Sequence, residues 1–147
     1  MLATIVDEAT GESRLWQDAV LPSHERELVA VFSPLAPAEY ALGLETVYEA
    51  YLVHYGRPRL FASLDADEAI LLGDYLYAHG LVRIAEAGGV PAVAAMADLI
   101  SSCAALRADG AAGDGDAWVE VARALGGEPS GAAVEHALAW HCGRVAP

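Results

Sequence analysis

Few residues in this sequence have the types and spacing that acid–base chemistry requires. His54, Asp74 and His79 fall on two successive predicted helices, and an aspartate beside a histidine is the one candidate acid–base pair. A core histidine with one satisfied nitrogen and an aspartate that caps or packs explain the same residues without catalysis, and we favour this interpretation. His136 and His141 lie roughly 140° apart around a helix, which is a poor arrangement for two ligands of one metal.

The acidic pairs also fail to predict a metal site. Asp65 and Asp67 lie where a helix begins, and Asp114 and Asp116 lie in a glycine-rich loop. Capping and solvation account for both pairs, whereas a magnesium site needs carboxylates that converge from facing helices. We therefore predict no catalytic residue, no metal ligand and no cofactor in this chain.

Composition argues against several classes of partner. The chain has 147 residues, 55% of them hydrophobic, with 8 Lys and Arg against 21 Asp and Glu and a formal net charge of −13. Binding of nucleic acid or of an anionic membrane surface relies on clusters of basic residues. We therefore expect neither, although this acidity would help to orient a less acidic protein partner.

The cysteines and the N-terminal region predict a cytoplasmic protein. Cys103 and Cys142 have no metal-ligand spacing and no disulfide-rich context, so we expect two core thiols in a reducing compartment. Asp7, Glu8 and Glu12 occupy the region where an export signal needs basic and apolar residues. We expect no membrane span, because no stretch reaches the roughly 18 apolar residues that one requires.

The many Ala and Leu residues and the apolar periodicity predict an all-α fold, an antiparallel helical bundle. We expect one domain over residues 1–147, with short helices in 1–36, long central helices in 37–108 and C-terminal helices in 117–145. The predicted helices cover residues 12–20, 23–33, 38–55, 65–87, 91–108, 117–125 and 131–143.

Three local features support these boundaries and faces. Glu45 and Glu49 are expected on the more exposed side of the 38–55 helix. Asp65, three residues before Glu68, has the position of an N-cap. Gly88-Gly89 is expected to supply the left-handed residue that ends the 65–87 helix.

The central helix, Glu68 to Arg83, is apolar almost all the way round at helical spacing. A surface helix of a globular protein normally shows a wide polar stripe. We therefore expect this helix to be buried on more than one side, with Asp74 as an isolated charge in its middle.

The same helix carries a sequence signature. Gly56-Arg57-Pro58 is followed by Ala69-Ile70-Leu71-Leu72-Gly73-Asp74-Tyr75-Leu76, and this order resembles the trans-type polyprenyl diphosphate synthases, which have the isoprenoid synthase fold. The segment from Gly43 to His54 is similar to the helix before the first aspartate-rich motif of that family. Here Tyr55-Gly56 stands in place of the two aspartates, and the chain ends near the helix that precedes the second motif.

The resemblance implies a fold without its catalytic metal site. The family's chemistry needs magnesium ions held between two aspartate-rich helices, so this chain alone is not expected to transfer prenyl groups. We predict a non-catalytic small subunit that pairs with a catalytic prenyl diphosphate synthase chain, which would bind the magnesium. The interface expected from the resemblance comprises Leu71, Leu72, Asp74, Tyr75, Leu76, His79 and Val82.

The resemblance also suggests an influence on product length. Ala50 and Tyr51 resemble positions at the floor of the family's elongation tunnel. The residues expected to influence chain length or to line an apolar pocket are Tyr48, Ala50, Tyr51 and Leu52. The alternative interpretation is a self-associating homodimer of the same fold that binds a prenyl or other apolar ligand. Its expected pocket would be lined by Tyr48, Tyr51 and Leu52 together with Tyr75 and Met96.

Overall fold

The computed structural model describes residues 1–62 and 64–145, and it confirms the all-α class. Among the described residues, β-type backbone pairing is limited to two isolated bridges, one between Val20 and Phe61 and one between Gly56 and Val145. Residues 63, 146 and 147 of the predicted domain lie outside the described part. The helices are α1 (Leu2–Glu12), α2 (Arg14–Ala19), α3 (Ala41–Tyr55), α4 (Ala66–Ala108), α5 (Asp114–Ala124) and α6 (Gly131–Cys142), with short 3-10 turns at Ser23–Glu25, Ser33–Leu35 and Ala38–Tyr40.

Helix α4 consists of two helices, as the sequence predicted, which follow one another directly across a kink at Gly89. Its N-cap is Asp65, whose Oδ1 accepts the backbone N–H of Glu68 at 2.9 Å, as predicted. Gly89 has the expected left-handed backbone, with φ of +67°, and its non-helical backbone lies at the kink between the two helices. Pro91 begins the second half, where the missing N–H of proline costs no hydrogen bond.

The helix that is buried on all sides is α3, not the central part of α4. An unbroken run of ten α3 residues, Gly43 to Leu52, is buried. Glycines permit close packing against α4, since a Cβ on Gly80 would lie 2.5 Å from Cγ2 of Val47. The expectation that Glu68 to Arg83 is buried on more than one side is therefore wrong for this chain by itself.

Glu45 and Glu49, predicted on the exposed side of α3, are completely buried because they bind a buried arginine. Nη1 of Arg59 donates to Oε2 of Glu45 at 2.7 Å, and its Nε donates to Oε2 of Glu49 at 2.9 Å. All three side chains have no exposed surface. Burying charges in this way is tolerable only when each is paired and hydrogen-bonded, and here they are.

The same carboxylates explain why residues 23–33 do not form the predicted helix. Oε1 of Glu45 accepts the backbone N–H groups of Val31 at 2.9 Å and Ser33 at 2.8 Å. Only Ser23–Glu25 forms a helical turn, and residues 26–32 have no regular secondary structure. These N–H groups bond to a side chain from another element, so the segment is held as an irregular strap over α3.

Two clusters of apolar side chains make up the core. One lies between α3, the second half of α4, α5 and α6. The other lies between α1, α2, α3 and the first half of α4, and it includes Leu72, Leu76 and Trp16. Helix α1, which the sequence did not predict, therefore covers one side of α4.

Helix α4 is long and apolar enough to cross a membrane by length and composition, with at most two charged residues in its most apolar stretch of 18, and the absence of a membrane span stays a prediction. In its most apolar window of 18 residues, 22% of the residues are buried in the chain. Core helices of helical bundles meet the same criterion, so length and composition do not assign a span.

Candidate functional site

The outer face of α4 exposes large apolar side chains along its length. Ile70, Leu71 and Val82 are 53%, 56% and 57% exposed, and Val90 beyond the bend is 82% exposed. At 100° per residue, the first three lie within about 120° of one another around the helix. The side chain of Asp74 lies in the same sector and is 71% exposed. We call these five residues the α4 stripe.

The seven residues predicted for a partner interface divide between three environments. Leu71, Asp74 and Val82 belong to the α4 stripe. Leu72 and Leu76 are buried against the chain's own α1 and α2 side, so a partner cannot reach them in this structure. Tyr75 and His79 are half-buried, and their rings contact each other at an angle of 39°, with centroids 4.2 Å apart.

His54 and Asp74 do approach each other, but not as a hydrogen-bonded pair. Nε2 of His54 lies 3.6 Å from Oδ1 of Asp74, which is too long for a hydrogen bond. Burial lowers the pKa of His54, and the charge of Asp74 only partly offsets this effect. The ring of His54 stacks on Tyr77, whereas His79 contacts Tyr75. A Cβ on Gly73 would collide with the His54 ring, so glycine beside Asp74 allows the two helices to approach.

A second set of polar side chains meets where α3, α4, α5 and α6 come together. Oδ2 of Asp114 accepts hydrogen bonds from the hydroxyl of Tyr51 at 2.6 Å, from Nη2 of Arg107 at 2.6 Å and from Nε2 of His141 at 3.0 Å. Because the carboxylate only accepts, Nε2 of His141 carries the proton, and Nδ1 can accept the hydroxyl of Tyr48 at 2.8 Å. We call these five residues the Asp114 network.

The electrostatics of the Asp114 network are those of a buried, stabilised anion. Burial alone would raise the pKa of Asp114, but hydrogen bonds from His141, Tyr51 and Arg107 outweigh it and hold the pKa well below its usual range. Burial and the bond to Asp114 raise the pKa of the Tyr51 hydroxyl. Burial also raises the pKa of the neighbouring Cys103 thiol to about 11, so this thiol is not a nucleophile at neutral pH.

The sequence interpretation missed this network. It assigned Asp114 to solvation in a loop and His141 to a surface or packing position, and His141 is indeed buried. Tyr51 and Asp114 are 63 residues apart in the chain, and Asp114 and His141 are 27 apart, so no periodicity connects them. The only local signal is that Asp114 opens α5, where an acidic residue is favourable to the helix dipole.

A cavity of about 640 Å³ lies beside the Asp114 network. Its walls are the glycine-rich turn before α5, with Leu138, Cys142 and Val145. Cys142 is exposed there, which corrects the expectation of two core thiols. The polar groups at the inner end of the cavity are hydrogen-bonded to one another. They therefore link four helices and do not present a free acid or base.

The residues predicted to line a tunnel or an apolar pocket fill the core instead. Tyr48, Ala50 and Leu52 have no exposed surface, and Tyr51 has 1%. Tyr48 and Tyr51 stack with ring centroids 6.5 Å apart, and both contact Trp118. Met96 is equally buried, while Tyr75 lies on the other side of α4. The predicted residues therefore do not surround an open pocket in this structure.

Asp114→Asn is expected to lower the free energy of unfolding by about 2–3 kcal/mol at pH 7, because charge-assisted hydrogen bonds are replaced by weaker ones. Since folding lowers the pKa of Asp114, its stabilisation is present above the ordinary carboxyl pKa near ~4 and declines as the pH falls below it. Thermal unfolding of both proteins at pH 7 and at pH 3 should show the difference shrinking in acid. Asp116→Asn, an exposed position in the same helical turn, is the control and should change little. Equal effects of the two substitutions would contradict the network's role.

Comparison with known proteins gives no relatives. No family model matches the chain, no curated protein matches it in sequence, and no solved structure matches it. In the part of the chain that the structure describes, no group of three His, Cys, Asp or Glu side chains is placed to hold a metal ion. The functional argument therefore depends on the chain's own surfaces.

Proposed function

We propose that this chain is a non-catalytic subunit that pairs, through the α4 stripe, with a catalytic polyprenyl diphosphate synthase chain. The observation that carries the proposal is the exposure of Ile70, Leu71 and Val82 on one face of α4, with Val90 exposed beyond the kink. Large apolar side chains exposed together on one face of a folded chain are typical of interaction sites, and an uncovered apolar patch promotes aggregation. A second helical chain would cover it in the way that helices cover one another in bundles.

The nature of the partner follows from the residues that surround the stripe. Gly73 and Asp74 belong to the motif that resembles the synthases, and in the homodimeric members of that family the corresponding helix lies between subunits. In this chain Gly73 accommodates His54, and Asp74 remains exposed beside the apolar residues. A helix of this kind would serve pairing even where the carboxylate clusters of the family are missing.

In this proposal the partner performs the chemistry. It would hold the magnesium ions and the diphosphate groups, and this chain would complete the assembled fold. An influence on product length would act through Ala50 and Tyr51, which are buried in α3, and therefore through the packing of that helix rather than through direct contact with product. The supporting observation is that the hydroxyl of Tyr51 fixes α3 to α5 through Asp114.

The alternative function is a homodimer that pairs through the same face. The exposed apolar residues favour it as much as they favour a heteromer, but the charge does not, since two copies would together carry twice the formal charge of −13.

The test is an activity measurement on three preparations: this chain, the synthase chain from the same genome, and the two co-expressed. Each is incubated with magnesium, isopentenyl diphosphate and an allylic diphosphate primer. We expect no turnover by this chain and at least a ~10-fold gain for the co-expressed pair over the synthase alone, as completion of a catalytic assembly would give. Turnover by this chain alone, or identical rates with and without it, would contradict the proposal.

A further inference from the structure

The one charged residue of the α4 stripe lies beside a histidine of α3. Oδ1 of Asp74 is 3.6 Å from Nε2 of His54, and the two side chains are 71% and 17% exposed. A Cβ on Gly73 would collide with the His54 ring, so the ring lies directly against the backbone of α4. The histidine is therefore largely shielded from solvent, next to a carboxylate that is open to it.

Among the described residues, Asp74 is the charged side chain beside the His54 ring. The other titratable groups in contact with this ring are Tyr55 of α3 and Tyr77 of α4. Phenols are uncharged near neutral pH, and burial raises the pKa of Tyr77 further. Burial lowers the pKa of His54, and the charge of Asp74 only partly offsets this effect. In the isolated chain His54 is therefore mainly neutral at pH 7, and water solvates the charge of Asp74.

Covering the stripe changes the environment of the two residues unequally. A partner that covers Leu71 and Val82 removes water from Asp74, which is exposed between them, whereas His54 has little contact with water left to lose. A buried carboxylate without a counter-charge is strongly unfavourable. A proton on His54 supplies that counter-charge at 3.6 Å, and the attraction grows as water leaves.

We propose that pairing through the α4 stripe is coupled to the uptake of one proton by His54, so that the complex is tighter at pH 6 than at pH 8. This inference rests on the proposed function, because it assumes that a partner covers the stripe. It adds a form of regulation, in which acidification promotes pairing and alkaline pH weakens it.

The sign follows from linkage. Pairing raises the pKa of His54, because the desolvated carboxylate of Asp74 favours the imidazolium more strongly than the solvated one does. The complex then binds more protons than the separate chains, so affinity rises as the pH falls through the titration of His54. It becomes constant once His54 is protonated in both states.

The test is titration calorimetry of this chain with the synthase chain at pH 6, 7 and 8 and at one ionic strength. We expect Kd to be at least ~10-fold lower at pH 6 than at pH 8, since uptake of one proton changes Kd by at most about tenfold per pH unit. At pH 7, measurements in two buffers of different ionisation enthalpy give the number of protons taken up.

Three variants assign the proton to its residue. Asp74→Asn removes the carboxylate, so pairing should stay tight at pH 8 and lose most of its pH dependence. His54→Gln leaves the carboxylate unpaired, so pairing should be as weak at pH 6 as at pH 8. His136→Gln changes an exposed histidine of α6 and, as the control, should keep the full pH dependence. Circular dichroism verifies that all variants fold.

The outcomes separate this inference from the proposed function. Absence of any complex with the synthase chain at all three pH values would overturn the proposed function itself. A complex with the same Kd at pH 6 and pH 8 would leave pairing standing and overturn the coupling to a proton. A pH dependence that persists unchanged in His54→Gln would also overturn it, because the proton would then bind elsewhere.

Discussion

Replacing Arg59 by alanine is expected to lower the free energy of unfolding by about 3–5 kcal/mol, which is the cost of leaving a broken buried ion pair. Glu45 and Glu49 would remain as two carboxylates with no exposed surface and no counter-charge. The substitution also removes the hydrogen bond from Nη1 to the carbonyl oxygen of Val29, which holds the extended strap against α3. For a domain of this size the midpoint of thermal unfolding should fall by roughly 10 °C.

A matched control exists on the surface. Arg123 forms an exposed ion pair with Glu120, so Arg123→Ala should cost less than about 1 kcal/mol. Urea unfolding of both variants, followed by far-ultraviolet circular dichroism, measures the two free energies. Similar losses for Arg59→Ala and Arg123→Ala would show that the buried triad does not stabilise the fold as described.

The second large effect is expected on association rather than on stability. The double variant Leu71→Lys/Val82→Lys places two charges on the α4 stripe, and binding to the synthase chain should weaken by at least ~100-fold. Both side chains are more than half exposed in the isolated chain, so its unfolding midpoint should change little. Titration calorimetry and thermal unfolding measure the two quantities separately.

The control again uses the same residue types. Leu28 and Val29 are 61% and 38% exposed on the strap, and Leu28→Lys/Val29→Lys introduces the same two charges. This variant should bind nearly as well as the unaltered chain. If the strap variant lost binding and the stripe variant kept it, the partner would dock on the strap and not on α4.

The sequence predicted local structure correctly where that structure is determined by interactions between neighbouring residues. The cap at Asp65 and the left-handed glycine at Gly89 each depend on a few neighbouring residues, and the structure confirms both. The all-α class follows from periodicity along single segments and is confirmed as well. The predictions that were wrong concerned contacts between distant segments. One such contact is the carboxylate of Glu45, which accepts hydrogen bonds from the backbone N–H groups of Val31 and Ser33.

The prediction for the central helix, Glu68 to Arg83, was limited for a similar reason. Its sequence is apolar around most of its circumference, and that pattern predicts burial on more than one side, which this chain by itself does not provide. The pattern does not indicate which side of the central helix is covered by other helices of the same chain. Helix α1 and helix α3 cover Leu72 and Leu76, and the opposite side with Leu71 and Val82 remains open. The Asp114 network was beyond prediction for a related reason, since its members come from four helices.

The most direct test of the account is the mass of the species that this chain forms with the co-expressed synthase chain. Size-exclusion chromatography with multi-angle light scattering measures it without assumptions about shape. The account predicts one peak that contains both chains, with a mass that includes the 15.3 kDa of this chain in integral stoichiometry. A separate peak of 15.3 kDa, with the synthase chain eluting alone, would contradict the claim that α4 pairs with it.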